Sequence, residues 1–459
     1  MPTASTAIVW FRRDLRVHDH PALTHALERF DRVVPLFVVD DSILRGRWPS
    51  PNRWWFLARA LESLAGELEA RGGRLTVVRG DPVELVPRIA RDVGATAIVI
   101  SRDYSAYGRR RDAAVEAAAT ALGVHWLAGR GLLVHEPEDV RREDGGPFHV
   151  FSPFHRRWLE ADLRPVIEAP GAMATADVHV DGSGDPDELL GHPVPTADLD
   201  LLLAPSEAAA RARLDRWARS DALRDYATGR DRLDLDGTSR LSQDLRWGLL
   251  SPVEVVTRCA GSGAGPSRFR SEIAWRDFYA HLLWHEPRVA RESFRRELEG
   301  VGEREPDPEI VAAWKAGRTG YPVIDAAMRQ LLATGWMHNR ARMIVASFLT
   351  KHLRIDWRIG EAHFMEHLVD GDPASNNGGW QWAASTGTDP QPYFRIFNPT
   401  LQGQRHDPNG DYVRRWVPEL RGIAGAAVHD PRGAYVAPIV DHAAAREGAI
   451  AAYEAARSG

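Results

Sequence analysis

The chain has 459 residues, 44% of them apolar and 26% charged, and 58 Lys and Arg against 63 Asp and Glu give a net charge of −5. That size and mix predict two or three domains of an ordinary soluble protein, and the acidic balance confines any phosphate-binding surface to a local patch. Cys259 is the only cysteine, which excludes an intramolecular disulfide and any multi-cysteine metal site and fits a reducing, cytoplasmic location; no apolar run of about 18 residues suggests a membrane span, and no basic-then-apolar signal opens the chain.

Four short apolar runs bounded by charge, residues 7–11, 33–40, 75–80 and 97–101, predict buried strands. Helical patterns lie between them, notably over 53–71 and 112–122. Strand alternating with helix predicts a parallel α/β sheet, here an N-terminal domain over 1–130. A dinucleotide fold carries a Gly-rich loop after its first strand. That position reads Arg12-Arg13-Asp14-Leu15-Arg16 instead, so a phosphate loop of that kind is absent. Over 131–205 Pro, Gly and acids accumulate, which predicts a long linker with a few short helices. From 206 to 459 the strand signals vanish. Residues 207–219, 252–259, 269–286, 321–334, 338–353, 360–368 and the Ala-rich 442–457 all read as helices, a large all-α domain.

Four patches in that domain carry chemistry. The first is Tyr226, Arg230 and the run Thr238-Ser239-Arg240-Leu241-Ser242. Hydroxyls and free N–H groups opening a helix suit phosphate, and equally suit an ordinary N-cap. In the second, Glu272, Trp275, Arg276 and Tyr279 fall at spacings of three and four, on one broad helix face. A carboxylate and an indole facing one cavity can bind a base by hydrogen bond and stacking; the plainer alternative is a surface helix with a Glu272–Arg276 pair. The third gathers Asn339, Arg342 and Met343 at helical spacing among Arg340, Lys351, Arg354 and Arg358, with only Asp356 opposing. Such a run is a solvated face or a DNA phosphate patch. The fourth opens on Asp370-Gly371-Asp372 and runs through Asn376-Asn377-Gly378-Gly379 to Trp380-Gln381-Trp382. Gly378-Gly379 permits close backbone approach to a ligand, and the two indoles offer flat, polarisable rings.

These motifs extend to Phe394-Arg395-Ile396-Phe397-Asn398-Pro399. Together they resemble the DNA photolyase/cryptochrome family, and most of all its class I cyclobutane pyrimidine dimer photolyases. The resemblance implies FAD, with Tyr226, Thr238 to Ser242, Arg276, Arg342, Asp370, Asp372 and Asn376 holding it. Arg342 would pair with Asp370, Asp372 would bond the isoalloxazine edge, and Asn376 would face flavin N5. Glu272, Trp275, Asn339, Met343 and Trp382 would meet the dimer, with Arg230, Arg340 and Arg395 on DNA phosphate. Burial beside Trp275 would favour a protonated Glu272. The implied reaction is light-driven: electron transfer from excited reduced FAD splits a dimer flipped out of UV-damaged DNA. A monomer is expected.

Two departures stand out. Trp380 and Trp357 match the inner members of the family's tryptophan relay, but 301–306 has no Trp for the outer place, leaving Trp314 or another surface aromatic to substitute. The family also implies a second, light-harvesting chromophore in the α/β domain. Folate-binding relatives carry Asn-Glu where this chain reads Tyr107-Gly108. The run Tyr104 to Arg109 looks more like the deazaflavin type, with an empty site or another flavin as alternatives. The competing functions are a cryptochrome-type blue-light signalling flavoprotein and a flavoprotein that binds DNA without repairing it.

Overall fold

The computed structural model describes residues 4–176, 178–390, 392 and 395–458; Phe394 of the motif above lies outside them. Strands apolar on both faces cannot meet water, and they pair as the interior of a parallel sheet. β1 (Thr6–Phe11), β2 (Arg32–Asp40), β3 (Thr76–Gly80), β4 (Ala97–Ser101) and β5 (His125–Gly129) lie in the order β3-β2-β1-β4-β5. All four pairings are parallel. The edge strand β5 is half-exposed and starts on His125, so its sequence gives little apolar signal.

The crossover helices α1 (Pro21–Arg29), α2 (Pro51–Glu69), α3 (Pro82–Asp92) and α4 (Ala106–Ala121) each start on a side-chain cap, from His20, Ser50, Asp81 and Ser105. Such caps satisfy N–H groups that a helix start leaves unpaired. The strand order reverses between β1 and β4, where α/β folds leave a crevice at the strand ends.

The charged run after β1 fills that place and docks the second domain. Leu15 donates its N–H to the Trp247 carbonyl at 3.2 Å. Arg16, fully buried, bonds the carbonyls of Gly248 and Gly131, each at 3.0 Å. Gly248 has φ 69°, and a Cβ there would lie 2.0 Å from the Arg13 carbonyl. The backbones therefore approach too closely for any other residue.

The C-terminal domain is helical: α5 (Phe151–Glu160) leads in, followed among others by α6 (Ser242–Trp247), α7 (Ala264–His285), α8 (Pro322–Thr334), α9 (Asn339–Ser347), α10 (Trp357–His367), α11 (Pro373–Ala384) and α12 (His442–Ser458). One core runs from the sheet into this domain, joining Phe11 and Phe56 to Trp217, Trp247 and Phe278. A second is wholly helical, around Trp314, Met328, Phe348, Trp357 and Trp380.

The helix expected over 338–353 instead ends at Ser347 and passes into a π-helical turn, Phe348–His352. Lys351 on that turn is fully buried. Its Nζ donates to the Ala384 carbonyl at 2.8 Å and the Ser385 hydroxyl at 3.0 Å, closing the C-terminus of α11. No helix among the described residues is long and apolar enough to cross a membrane.

Candidate active site

The start of α6, the middle of α7, the first turns of α9 and the length of α11 converge on one cavity of about 450 Å³. That is the size of a cofactor or substrate site. Along one side run Tyr226 and the loop Thr238 to Ser242, which leads into α6. Arg240 takes φ 51° there, a conformation that non-glycine residues adopt only where the surroundings impose it. Its guanidinium lies 4.7 Å from the centre of the Trp336 ring.

The floor is ionic. Arg342 Nη2 meets Asp370 Oδ2 at 2.8 Å while its Nε bonds the Met337 carbonyl. Asp372 caps α11 through the Ser375 N–H at 2.9 Å and pairs with Arg13. Burial would raise the Asp372 pKa, but Arg13, Arg246, the Ser375 N–H and Arg276 hold it well below the usual carboxylate range. Asn376 donates to the Glu361 carbonyl at 3.1 Å, and Asn377 to the Glu361 carboxyl at 2.9 Å. Burial pushes that carboxyl up to about 7.

The opposite wall is aromatic. Trp275 stacks on Phe151, 3.8 Å between centres and 10° between planes, so one indole face is already covered. Trp382, Met343 and Asn339 continue this wall. Glu272 stands among them, half-buried, against Arg230 and, at 3.0 Å, Arg268.

Several buried polar atoms of the lining have no protein partner: Arg246 Nη1, Asp370 Oδ1, Arg240 Nε and Trp380 Nε1. Buried groups of that kind ordinarily find a hydrogen bond. Donors and an acceptor left over in one cavity fit a polar, multi-ring cofactor with an anionic tail.

Comparison with known proteins names the cofactor. Residues 7–171 match a family model described as DNA photolyase. Residues 269–455 match one described as the FAD binding domain of DNA photolyase. The chain belongs to the DNA photolyase/cryptochrome family. It is 41% identical to a deoxyribodipyrimidine photo-lyase of Streptomyces griseus, over 96% of this chain and 98% of that one. A bacterial class III photolyase from Agrobacterium tumefaciens superposes with a TM-score of 0.93 at 37% identity, covering 100% of this chain and 99% of the other. The cryptochrome of Synechocystis sp. PCC6803 gives 0.89 at 28% identity, covering 98% and 100%. The protein is an enzyme of the photo-lyase kind with FAD as cofactor.

In this photolyase the cavity brings together Tyr226, Arg230, Thr238, Ser239, Arg240, Leu241, Ser242, Glu272, Trp275, Arg276, Asn339, Arg342, Met343, Asp370, Asp372, Asn376, Trp380 and Trp382. Arg340, Trp357 and Arg395 lie outside its lining. Trp357 is buried, its Nε1 directed at Ser293 Oγ at 3.4 Å.

Several expectations are corrected. Glu272 is half-buried and has two guanidinium partners, Arg230 and Arg268, that the expectation of burial beside Trp275 left out. Arg230 lines the cavity and pairs with Glu272 there. Arg276 bonds the Leu132 carbonyl at 2.7 Å and lines the cavity, so the plainer alternative of a Glu272–Arg276 pair is not what forms. The basic run after Trp336 is divided between the interior and ion pairs. Lys351 is internal, Arg340 pairs with Asp231, Arg342 with Asp370 and Arg358 with Asp356 and Glu299. Trp314 is not a surface aromatic: it is fully buried, 6.1 Å from Trp380.

The sequence reading missed Arg13, Arg246 and Arg268. Arg246 follows Ser242, and Arg268 precedes Glu272, by one helical turn, a spacing that places each on the same face as a recognised site residue. Burial pushes Arg246 down to about 9.

Proposed function

We propose that this photolyase splits cyclobutane pyrimidine dimers in UV-damaged DNA, and that its chain divides into an antenna domain over 1–130, a linker over 131–205 and a catalytic domain over 206–459. The reading rests on one observation above all: groups suited to a flavin and groups suited to paired bases line the same cavity. When bound, reduced FAD supplies on blue light the electron that opens the cyclobutane ring.

The chain's own residues do the rest. Tyr226, Thr238 to Ser242 and Arg240 hold the diphosphate side of the cofactor, with Arg276 fixing the wall behind it. Arg342, Asp370 and Asp372 would hold the ring system, and Asn376, whose amide is positioned by the Glu361 carbonyl, would offer it a hydrogen bond. Trp275 and Trp382 stack a flipped dimer, which must leave the duplex to reach this depth. Met343 and Asn339 close the pocket around it. A carboxylate held by two guanidinium groups accepts hydrogen bonds, and the imide N–H of a thymine is the donor Glu272 would meet. Arg230 and Arg268 then stand beside the dimer, where their charge offsets the added electron. Arg340 and Arg395 are assigned to DNA phosphate; Arg395 is exposed.

For the α/β domain we infer a deazaflavin-type antenna rather than a folate. A Cβ at position 108 would lie 2.3 Å from the Asp103 carboxyl carbon, so the Glu of the folate motif does not fit. Blue light on irradiated oligothymidine with dithionite-reduced protein tests the main reading: dimers are lost. The likeness to a cryptochrome favours the second reading, a light-signalling flavoprotein, and in that case dimers survive while flavin photochemistry persists.

A further inference from the structure

Behind the flavin cavity, on the far side of Trp380, helix α10 carries His363, Glu366 and His367. The spacing His-x-x-Glu-His puts the two histidines at i and i+4 on one helix face, the arrangement by which helices hold zinc, and the Glu366 carboxylate lies 3.9 Å from His363 Nδ1. The ring centres of His363 and His367 are 4.6 Å apart. One ligating atom from each of the three residues lies within 4.8 Å of the others, so a small side-chain rotation suffices to close them on one ion. We propose that His363, Glu366 and His367 form a binding site for a divalent transition metal of the zinc class, separate from the flavin and dimer sites.

The surroundings fit an ion better than they fit an empty pair. His363 Nε2 and His367 Nδ1 are both buried without a hydrogen-bond partner, and His363 is only 4% exposed. A buried ring nitrogen of this kind ordinarily has one. The Lys315 backbone carbonyl lies against His363, the sort of outer acceptor that orients a ligating imidazole. Asn52 of α2 bonds the His367 carbonyl at 2.7 Å and fixes the last turn of α10. The Lys315 ammonium opposes a dication here, and the Glu366 carboxylate offsets it. Glu366 is 44% exposed, so the site opens to solvent on that side and leaves a coordination position for water.

Untagged, chelator-washed holoenzyme titrated with Zn²⁺ in a calorimeter tests this. The parent should take up one ion per chain in a saturable phase. His367→Ala should abolish that phase. Glu366→Gln, at an exposed carboxylate whose loss leaves the fold and flavin content unchanged, should weaken it at least about tenfold, the least that even an outer-shell partner contributes. His285→Ala serves as a control, because His281 and His285 on α7 are another i,i+4 pair with ring centres 4.5 Å apart, and it should bind as the parent does. Ni²⁺ should quench tryptophan fluorescence in the parent, through Trp314 at 5.6 Å from the His363 ring, with a midpoint at least about tenfold higher in Glu366→Gln. Uptake that never saturates, binding that survives Glu366→Gln undiminished, or binding lost in His285→Ala overturns the assignment.

Discussion

The guanidinium of Arg13 and the carboxylate of Asp372 meet across the junction of the two domains, 359 positions apart in the chain. Arg13 leaves the end of β1, where a dinucleotide fold would place its glycine loop. Asp372 caps the helix that carries Asn376, Trp380 and Trp382. The end of β1 is thus tied to the N-terminus of that helix by an ion pair. Arg13→Ala leaves a buried carboxylate with Arg246 and Arg276 as its remaining cations. The loss should be about 2–4 kcal/mol at pH 7, nearer the low end for a pair this close to solvent. Because the Asp372 pKa is depressed, the stabilisation is full above the ordinary carboxylate value and is lost as pH falls below it. Urea unfolding of parent and variant should therefore differ at pH 7 and converge in acid. An unchanged urea midpoint at pH 7 would sink the idea.

The cofactor comes next. FAD should be noncovalent and released by denaturation. Arg342→Ala leaves Asp370 buried without its cation and removes one side of the ring-binding floor. A loss of about 1.4–3 kcal/mol is a ten- to hundredfold fall in FAD affinity. Equilibrium dialysis of the reconstituted apoprotein measures it; parent-like affinity would remove Arg342 from the site.

For DNA the structure redistributes the arginines. Arg395 and Arg340 should each give a phosphate contact, so either alanine variant should weaken binding at all sequences and flatten the salt dependence by a slope of about one. Arg230→Ala should act differently: a smaller salt effect, with damaged DNA weakened more than undamaged, because Arg230 sits on Glu272 inside the cavity. Equal salt slopes for all three variants would contradict that division.

Much of the cavity was legible because its residues sit at helical spacing within short stretches: Glu272 with Trp275, Asn339 with Arg342 and Met343, Asn376 with Trp380. The α/β sheet was legible from its apolar runs, save β5, whose His125 and half-exposed face carry no such pattern. What sequence could not give was the partner of each charge. Arg13 and Arg246 look like solvated arginines until the fold brings Asp372 to them, whereas Arg268 meets Glu272 one turn along its own helix. Lys351 looked like surface for the same reason, because nothing local shows that Ala384 and Ser385 end beside it.

Glu361 yields a pH prediction. Burial raises its carboxyl from the ordinary 4.5 to about 7, so the folded state holds a proton that the unfolded chain has released. Stability is then lost as pH rises from about 4.5 to 7, by up to roughly 3 kcal/mol. Glu361→Gln keeps an acceptor for Asn377 and removes the ionisation. The variant should match the parent near pH 4.5 and be the more stable protein at pH 8. Parallel melting curves at both pH values would mean that Arg47, 3.7 Å from the carboxyl, already compensates the charge.

The tryptophans separate repair from photoreduction. Trp380 and Trp382 are two residues apart on α11, yet they face different neighbours. Both line the cavity, but Trp380 is also packed against Phe364 at 4.9 Å and Trp314 at 6.1 Å. Trp380 should therefore be the first donor to oxidised, excited flavin, and Trp275 with Trp382 should hold the dimer. Stacking of this kind is worth about 1–3 kcal/mol per base. Trp275 has one face already on Phe151, so Trp275→Ala should weaken dimer binding by about ten- to a hundredfold and leave photoreduction alone. Trp380→Phe should do the reverse: no bleaching of the flavin with blue light and a thiol, but dimer loss near the parent rate after dithionite. The next step of the relay is open to the same test. A hole on Trp380 can pass to Trp314 or to Trp357, both buried, and the stretch 301–306 offers no Trp beyond them. A hole trapped inside the protein returns before a solvent thiol meets it, so the parent should photoreduce slowly. Trp357→Phe and Trp314→Phe then report which ring is used, since only the variant on the path slows further. Should Trp380→Phe stop repair by the dithionite-reduced enzyme, Trp380 belongs to the dimer site and the division is wrong.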